Sequence, residues 1–145
     1  MAQAAVANIS NIQLTYKDFN RLQSPKPGKE MDSLINDSIL DSYSCLLREY
    51  HARKGNEHTN LFTSSHFYTL LCSDDGLTRT RSWYTPSQIF NADRIFIPIN
   101  LNSVHWVLVV LDMINHRIEY WDPLHLLCER SIFDKILEWR IRSQS

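Results

Sequence analysis

The chain has 145 residues, 43% of them hydrophobic, which suffices for the core of one compact domain but not of two. Its 15 basic and 16 acidic residues are spread without long like-charged blocks, which excludes a nucleic-acid or membrane-surface footprint, so neither kind of partner is expected. The first ten residues lack a basic leader, and the longest apolar run, 106–111, is far too short to span a membrane, so we expect a soluble intracellular protein.

The longest predicted helix lies in the first half of the chain. A loop rich in proline and charge at 24–30 precedes it and is expected to lie within the domain. Apolar residues then recur at helical spacing over 36–55. Asn36 or Asp37 can cap the start of this helix, and Gly55 can end it.

Two shorter helices follow. The segment 64–72 predicts a helix capped by Ser64 or Ser65. The segment 85–91 predicts another, in which Thr85 is the cap and a proline takes the first helical position.

Three strands are predicted next. The run 94–100 reads as a strand, but Pro98 cannot donate to a ladder and therefore indicates an edge or a bulge. Every residue of 104–111 except His105 is apolar, which is typical of a central strand covered on both faces. The segment 114–122 then returns the chain as the second strand of a tight antiparallel hairpin.

A helix is predicted at the end of the sequence, over 131–142. Ser131 and Asp134 have the spacing of a capping box, and apolar residues follow at helical intervals. The order of elements, with helices first, a small mixed or antiparallel sheet next and a helix last, predicts an α+β fold.

The hairpin brings two titratable side chains to one end of the sheet. A two-residue loop at 113–114 would place His105 and Asp122 directly opposite each other. A loop centred on 114–115 would place them diagonally on the same face, roughly 7–8 Å apart between Cα atoms. A loop with an odd number of residues would put them on opposite faces.

A carboxylate next to an imidazole fixes the ring's tautomer and stabilises its protonated form, as a general base requires. From periodicity alone, His105 and Asp122 are candidates for such a pair. The alternative is that His105 is an ordinary half-buried residue at the end of a strand.

A resemblance to a known family bears on this choice. The stretch 93–124, with its "IPIN…HWVLVVLD…YWD" pattern, resembles the His and Asp signature of the ubiquitin-like protease family, the SUMO or sentrin-specific cysteine proteases. The segment 34–43, "LINDSILDSY", resembles that family's entry helix, and the similarity runs from about Leu14 to the last residue. The resemblance implies a papain-like cysteine protease fold of the SUMO protease type, with 1–145 as one truncated catalytic domain.

The resemblance also implies roles for individual residues. His105 would be the general base and Asp122 its orienting carboxylate, while Trp106 would line the channel that admits a substrate's Gly-Gly tail. Leu34 and Asp37 would lie on the side that binds the modifier. Trp106 can equally be a core aromatic, and Asp37 can simply cap its helix.

The sequence departs from the family at several places. Leu34 stands where the family has a tryptophan, and Pro123 stands where it has a serine. The family's "Q…DCG" segment, which supplies the nucleophile, is absent, so we expect an incomplete site and no nucleophile in this chain. The three cysteines lack a CxxC pairing and are expected to be reduced thiols: Cys45, Cys72 and Cys128.

The implied function is cleavage after the Gly-Gly tail of a SUMO-like modifier by a cysteine-type peptidase in the nucleus or cytoplasm. The implied partner is a SUMO-like or other ubiquitin-like modifier and its conjugates. An inactive module that binds such a modifier, or an inactive truncated relic, remains the alternative. No cofactor and no metal is expected, because five histidines show no ligand spacing: His51, His58, His66, His116 and His125.

Overall fold

The computed structural model describes residues 5–55 and 58–143, which form two compact units that divide after Gly55. The first unit contains a two-stranded hairpin and helices, and the second contains a four-stranded sheet with helices. The predicted α+β class is confirmed. No helix within these ranges is long and apolar enough to cross a bilayer.

The first unit begins with an antiparallel hairpin and ends with the long helix. Its elements are β1 (Ala5–Ile9), β2 (Ile12–Thr15), α1 (Tyr16–Asn20), a 3-10 turn (Glu30–Ser33) and α2 (Asp37–Lys54).

Both ends of α2 are where the sequence predicts them. The Asn36 side chain accepts a hydrogen bond from the Ile39 backbone N–H at 3.1 Å and is therefore the N-cap. Gly55 ends the helix in the left-handed region, with φ 64°. Asn36 also donates through Nδ2 to Asp18 at 2.7 Å, so the cap residue is tied to α1. Asp37 is the first helical residue, where its negative charge interacts favourably with the positive end of the helix dipole.

The second unit alternates short helices with the strands of one mixed sheet. Its elements are β3 (Asn60–Phe62), α3 (Phe67–Leu71), α4 (Gly76–Thr80), α5 (Pro86–Phe90), β4 (Arg94–Leu101), β5 (His105–Asp112), β6 (Arg117–Trp121) and α6 (Arg130–Arg142). The strand order is β3-β4-β5-β6, in which β3 runs parallel to β4 and the other pairs are antiparallel.

Pro98 lies where β4 has no neighbour on one side. The Phe96 carbonyl accepts from the Thr63 N–H at 2.9 Å on the β3 side. A residue two positions further along a strand faces the same side, so the missing N–H of Pro98 also faces that side. The pairing of β3 with β4 ends at Phe96, and no other described strand continues it. β4 is thus an inner strand of the sheet and not the edge strand expected from Pro98, and the proline is accommodated because it lies beyond the last pair with β3.

The core lies on one face of the sheet, against helices α3, α5 and α6. The indole of Trp139 packs edge-on against Phe67, with 4.8 Å between ring centroids. Alternate residues of the two central strands supply the sheet side of this core: Ile95, Ile97, Ile99, Val107, Val109 and Leu111. His105 lies on this same face, at the open end of β5.

Two predicted helix caps are wrong. The N-cap of α3 is His66, because Ser64 closes the preceding turn by accepting the Phe67 N–H through its carbonyl at 3.0 Å. The N-cap of α6 is Glu129, and Ser131 lies inside the helix, where it cannot cap. The cap of α5 is Thr85, as predicted, and its side chain accepts from the Gln88 N–H at 3.2 Å.

Several elements have no counterpart among those predicted from the sequence: the β1–β2 hairpin, α1, the 3-10 turn, β3 and α4. In α4 the first residue, Gly76, lies against the carbonyl oxygens of Leu70 and Leu71, where a Cβ atom would overlap with both. The short turn between α3 and α4 therefore requires glycine at this position.

Candidate active site

The β5–β6 hairpin determines where the two candidate residues meet. Its pairing runs from Leu108 opposite Trp121 to Asp112 opposite Arg117, which centres the turn on residues 114–115. The hairpin therefore has the diagonal register, and the alternative prediction of a two-residue loop at 113–114 is wrong. His105 opens β5, and Asp122 directly follows β6 on the same face of the sheet.

Asp112 anchors the other end of this hairpin. Its carboxylate accepts from the Asn115 backbone N–H at 3.1 Å and from Asn115 Nδ2 at 2.7 Å. Arg117 and Arg94 approach the same carboxylate at 3.5 Å and 3.8 Å. The turn that Asp112 closes with Asn115, and Arg117 opposite Asp112, favour the observed strand register. A register shifted by one residue would change every cross-strand pair.

His105 and Asp122 are in direct contact. His105 Nε2 lies 2.7 Å from Asp122 Oδ1. The imidazole is 16% exposed and the carboxylate 2% exposed. The carboxylate is therefore shielded from solvent, while part of the imidazole ring is still accessible from the surface. The contact predicted from the hairpin pattern is therefore present.

The Asp122 carboxylate is held by a second donor. The Leu124 backbone N–H donates to the same Oδ1 at 2.7 Å. Burial raises the pKa of Asp122, but the hydrogen bonds from Leu124 and His105 and the charge of His105 outweigh burial and lower it below its ordinary value. The carboxylate is therefore ionised at neutral pH and accepts a hydrogen bond from His105 Nε2, so that the neutral form of the ring has its lone pair on Nδ1.

The sequence does not predict the part that Leu124 plays, because every residue except proline has a backbone N–H and the residue type therefore gives no signal. The Asp-Pro dipeptide could have indicated it. Proline has no N–H, so the first backbone donor within reach of the Asp122 side chain is that of Leu124.

The residues predicted to bind substrate lie in different parts of the structure. Trp106 is half-buried in β5, where strand alternation puts it on the face opposite His105, and its strand partner is Asn100. Leu34 and Asp37 belong to the first unit, where the Leu34 carbonyl accepts from Arg21 Nη1 at 2.9 Å. The roles of these three residues in binding a modifier stay predictions.

The three cysteines lie in different surroundings, and the Cys45 Sγ accepts a hydrogen bond from Arg48 Nη2 at 3.2 Å. Cys45 lies within α2, and Cys72 is exposed at the end of α3. Cys128 is half-buried against the core, where burial and the Glu129 carboxylate raise the pKa of its thiol. A raised pKa reduces the thiolate fraction that a nucleophile needs.

Within residues 5–55 and 58–143, no three His, Cys, Asp or Glu side chains group closely enough to hold a metal ion. His58 instead lies 3.7 Å from the Asp93 carboxylate.

Comparison with protein families gives a match over most of the chain. The Ulp1 protease family, C-terminal catalytic domain, matches residues 33–143. This range includes both His105 and Asp122.

Two curated relatives illustrate the extent of the similarity. Ubiquitin-like-specific protease 1A of Arabidopsis thaliana is 31% identical over 134 residues, which cover 83% of this chain and 26% of that protein. Ubiquitin-like-specific protease 1 of Saccharomyces cerevisiae is 34% identical over 119 residues, which cover 81% of this chain and 17% of that protein. The chain thus spans about a quarter or less of the length of these relatives.

Solved structures match over nearly the whole chain. The C-terminal Ulp1 protease domain in complex with Smt3, the yeast orthologue of SUMO, superposes with a TM-score of 0.74 at 25% identity and covers 99% of this chain and 61% of its own. The SUMO protease Ulp1 with its catalytic cysteine oxidised to a sulfenic acid gives 0.73 at 26% identity, with coverage of 97% and 60%. The predicted SUMO protease fold is confirmed, and the chain spans about three fifths of these domains.

Proposed function

Because the chain belongs to the Ulp1 protease family, we propose that it supplies the general base and the orienting carboxylate of a cysteine peptidase that cleaves after the Gly-Gly tail of a SUMO-like modifier. The observation that carries the proposal is the 2.7 Å contact between His105 Nε2 and the ionised Asp122 carboxylate. We further propose that residues 1–145 form part of one catalytic domain and that the protein acts in the nucleus or cytoplasm.

In this mechanism His105 moves the proton. Asp122 holds the hydrogen on Nε2, so Nδ1 carries the lone pair that accepts the proton of a cysteine thiol. The thiolate attacks the carbonyl carbon of the terminal glycine and forms a carbon–sulfur bond. Nδ1 then returns the proton to the departing amine, and water hydrolyses the acyl-enzyme.

The attacking cysteine is proposed to lie outside these 145 residues. The raised pKa of Cys128 and the place of Cys45 within a helix make neither of them a suitable nucleophile. Cys72 is exposed at the end of the short helix α3. It precedes His105 in the sequence, whereas the family places its cysteine after the aspartate.

Substrate recognition is proposed to involve Trp106, Leu34 and Asp37. One relative in the family was solved with Smt3 bound, which supports a ubiquitin-like modifier as the partner of this chain. We propose that Trp106 lines the channel for the Gly-Gly tail and that Leu34 and Asp37 contact the body of the modifier.

A second candidate function is binding without cleavage. The specific observation in its favour concerns Cys128, the cysteine that follows Asp122 in the sequence: burial and the Glu129 carboxylate raise the pKa of its thiol. The chain would then keep a surface for the modifier and hydrolyse nothing.

Titration of the 145-residue chain with SUMO, observed by NMR, tests the proposal. We expect binding that shifts the His105 ring and Trp106 indole resonances, and no release of a fluorophore from the SUMO C-terminus. SUMO without its last two glycines is the control and should leave His105 unshifted. Equal shifts with both forms, or no binding, would contradict tail recognition at this site, and turnover by the chain alone would contradict an external nucleophile.

A further inference from the structure

We propose that Pro123 is a positioning residue: the turn Asp122–His125 that it fixes holds the Asp122 carboxylate against His105 Nε2. This inference rests on the proposed function for the purpose of the pair, but its evidence and its test concern the geometry of the turn alone. The atoms involved are Asp122 Oδ1, the Leu124 N–H and His105 Nε2.

A single oxygen atom connects the turn with the imidazole. Asp122 Oδ1 lies 2.7 Å from the Leu124 nitrogen and 2.7 Å from His105 Nε2. A donor fixed in the backbone therefore determines where Oδ1 lies, and the position of Oδ1 determines which orientation of the His105 ring makes the second hydrogen bond.

The turn is closed by the backbone and constrained by proline. The His125 N–H donates to the Asp122 carbonyl at 3.0 Å, which makes Asp122–His125 a four-residue turn with Pro123 in its second position. The pyrrolidine ring presets φ there and removes a competing N–H beside the carboxylate. His125 leaves the turn in the left-handed region, with φ 55°.

Little packing supports this segment. Between β6 and α6 the chain has no helix or strand, and three leucines in it are largely exposed: Leu124 at 62%, Leu126 at 59% and Leu127 at 98%. The side chains around the turn thus bury little surface that could hold it in place. The local constraint of Pro123 and the hydrogen bonds that Asp122 accepts therefore act together to keep the carboxylate in position.

The proposal predicts a measurable loosening when the ring is removed. A proline whose φ suits the fold restricts the opened chain, so replacing it increases the number of conformations that the opened segment can adopt by about two- to fivefold. We therefore expect Pro123→Ala to raise the exchange rate of the Leu124 amide hydrogen about two- to fivefold while the protein stays folded.

The second readout is the tautomer of His105 by nitrogen NMR on the 145-residue chain. We expect Pro123→Ala to reduce the share of His105 protonated on Nε2, a change that a purely structural role for the proline would not produce. Pro86→Ala, at the exposed first position of α5, is the matched control and should change neither readout. Pro123→Ser provides a second variant should the alanine form fold poorly.

Unchanged Leu124 exchange and an unchanged His105 tautomer in folded Pro123→Ala or Pro123→Ser would overturn the proposal. Neither readout requires turnover, so a loosened turn together with a full-length protein that hydrolyses nothing would support the positioning role and count against the peptidase function separately.

Discussion

Two buried aspartates of the second unit show how neighbours decide the role of a carboxylate. Asp112 and Asp122 are both 2% exposed at the side chain, and both have lowered pKa values. Asp112 faces two arginines and an asparagine, which keep their charge states through the neutral range. Asp122 faces His105, and an imidazole is the side chain that most often serves as a general base. The same residue type thus closes a turn in one place and holds an imidazole in the other.

The tautomer of His105 follows from Asp122. We expect His105 to carry its proton on Nε2 in the neutral ring, because the ionised Asp122 accepts it, and we expect Asp122→Ala to abolish this preference. Nitrogen NMR of the ring measures both forms, and Asp134→Ala on the exposed face of α6 is the control. An unchanged tautomer in Asp122→Ala would contradict the assigned hydrogen bond.

Asp112 gives a prediction for stability against pH. The Asn115 side-chain hydrogen bond leads the effects that lower its pKa below 3.8, so the ionised carboxyl stabilises the fold. This contribution is complete above the unfolded pKa and is lost as the pH falls through the lowered folded pKa. We expect Asp112→Asn to be less stable than the wild type at neutral pH and the difference to shrink in acid. Urea unfolding at about pH 7 and about pH 2 checks this, and a difference that stays constant would contradict it.

At the scale of elements, the sequence predicts what local chemistry specifies. Asn36 and Gly55 define α2 because a cap side chain and a left-handed glycine act within one turn of the helix. β3 has only three residues and depends on parallel pairing with distant β4, so its own sequence carries no strand period. Residue spacing alone points to the wrong cap for α6, because Ser131 lies inside the helix that packing on the core establishes.

Gly76 offers a test of packing at this scale. A Cβ atom there would overlap with the carbonyl oxygens of Leu70 and Leu71, which are backbone atoms and cannot rotate away. We expect Gly76→Ala to lower the free energy of unfolding by about 1–3 kcal/mol, because α4 must shift from α3. Thermal or urea unfolding measures it, and Ser82→Ala just after α4 is the control. A loss no larger than that of the control would show that the α3–α4 turn adapts.

At the scale of the whole molecule, the site is predictable to the extent that one hairpin builds it. His105 and Asp122 lie at the ends of paired strands, so strand periodicity and a loop with an even number of residues are enough to bring them together. The choice between the two even registers depends on Asp112 and Asn115, whose turn chemistry the strand period does not contain. The proposed substrate-binding roles of Trp106, Leu34 and Asp37 rest on the resemblance alone, because contacts with a modifier depend on surfaces that no short motif describes.

The family fold is likewise predictable from the resemblance, while the activity is not. The chain covers about three fifths of the solved domains it matches, and burial and Glu129 raise the pKa of the Cys128 thiol. The contact between His105 and Asp122 is therefore the part of the proposed mechanism that these residues contain.

The measurement that tests this claim most directly is the rate at which the full-length protein containing these residues hydrolyses a SUMO C-terminal conjugate. We predict hydrolysis by the wild type and a loss of about 10²- to 10⁴-fold in His105→Ala, with the fold retained. His116→Ala, in the exposed turn of the same hairpin, should keep the wild-type rate. A full-length protein that hydrolyses nothing, or a rate that His105→Ala leaves unchanged, would contradict the catalytic role of the pair.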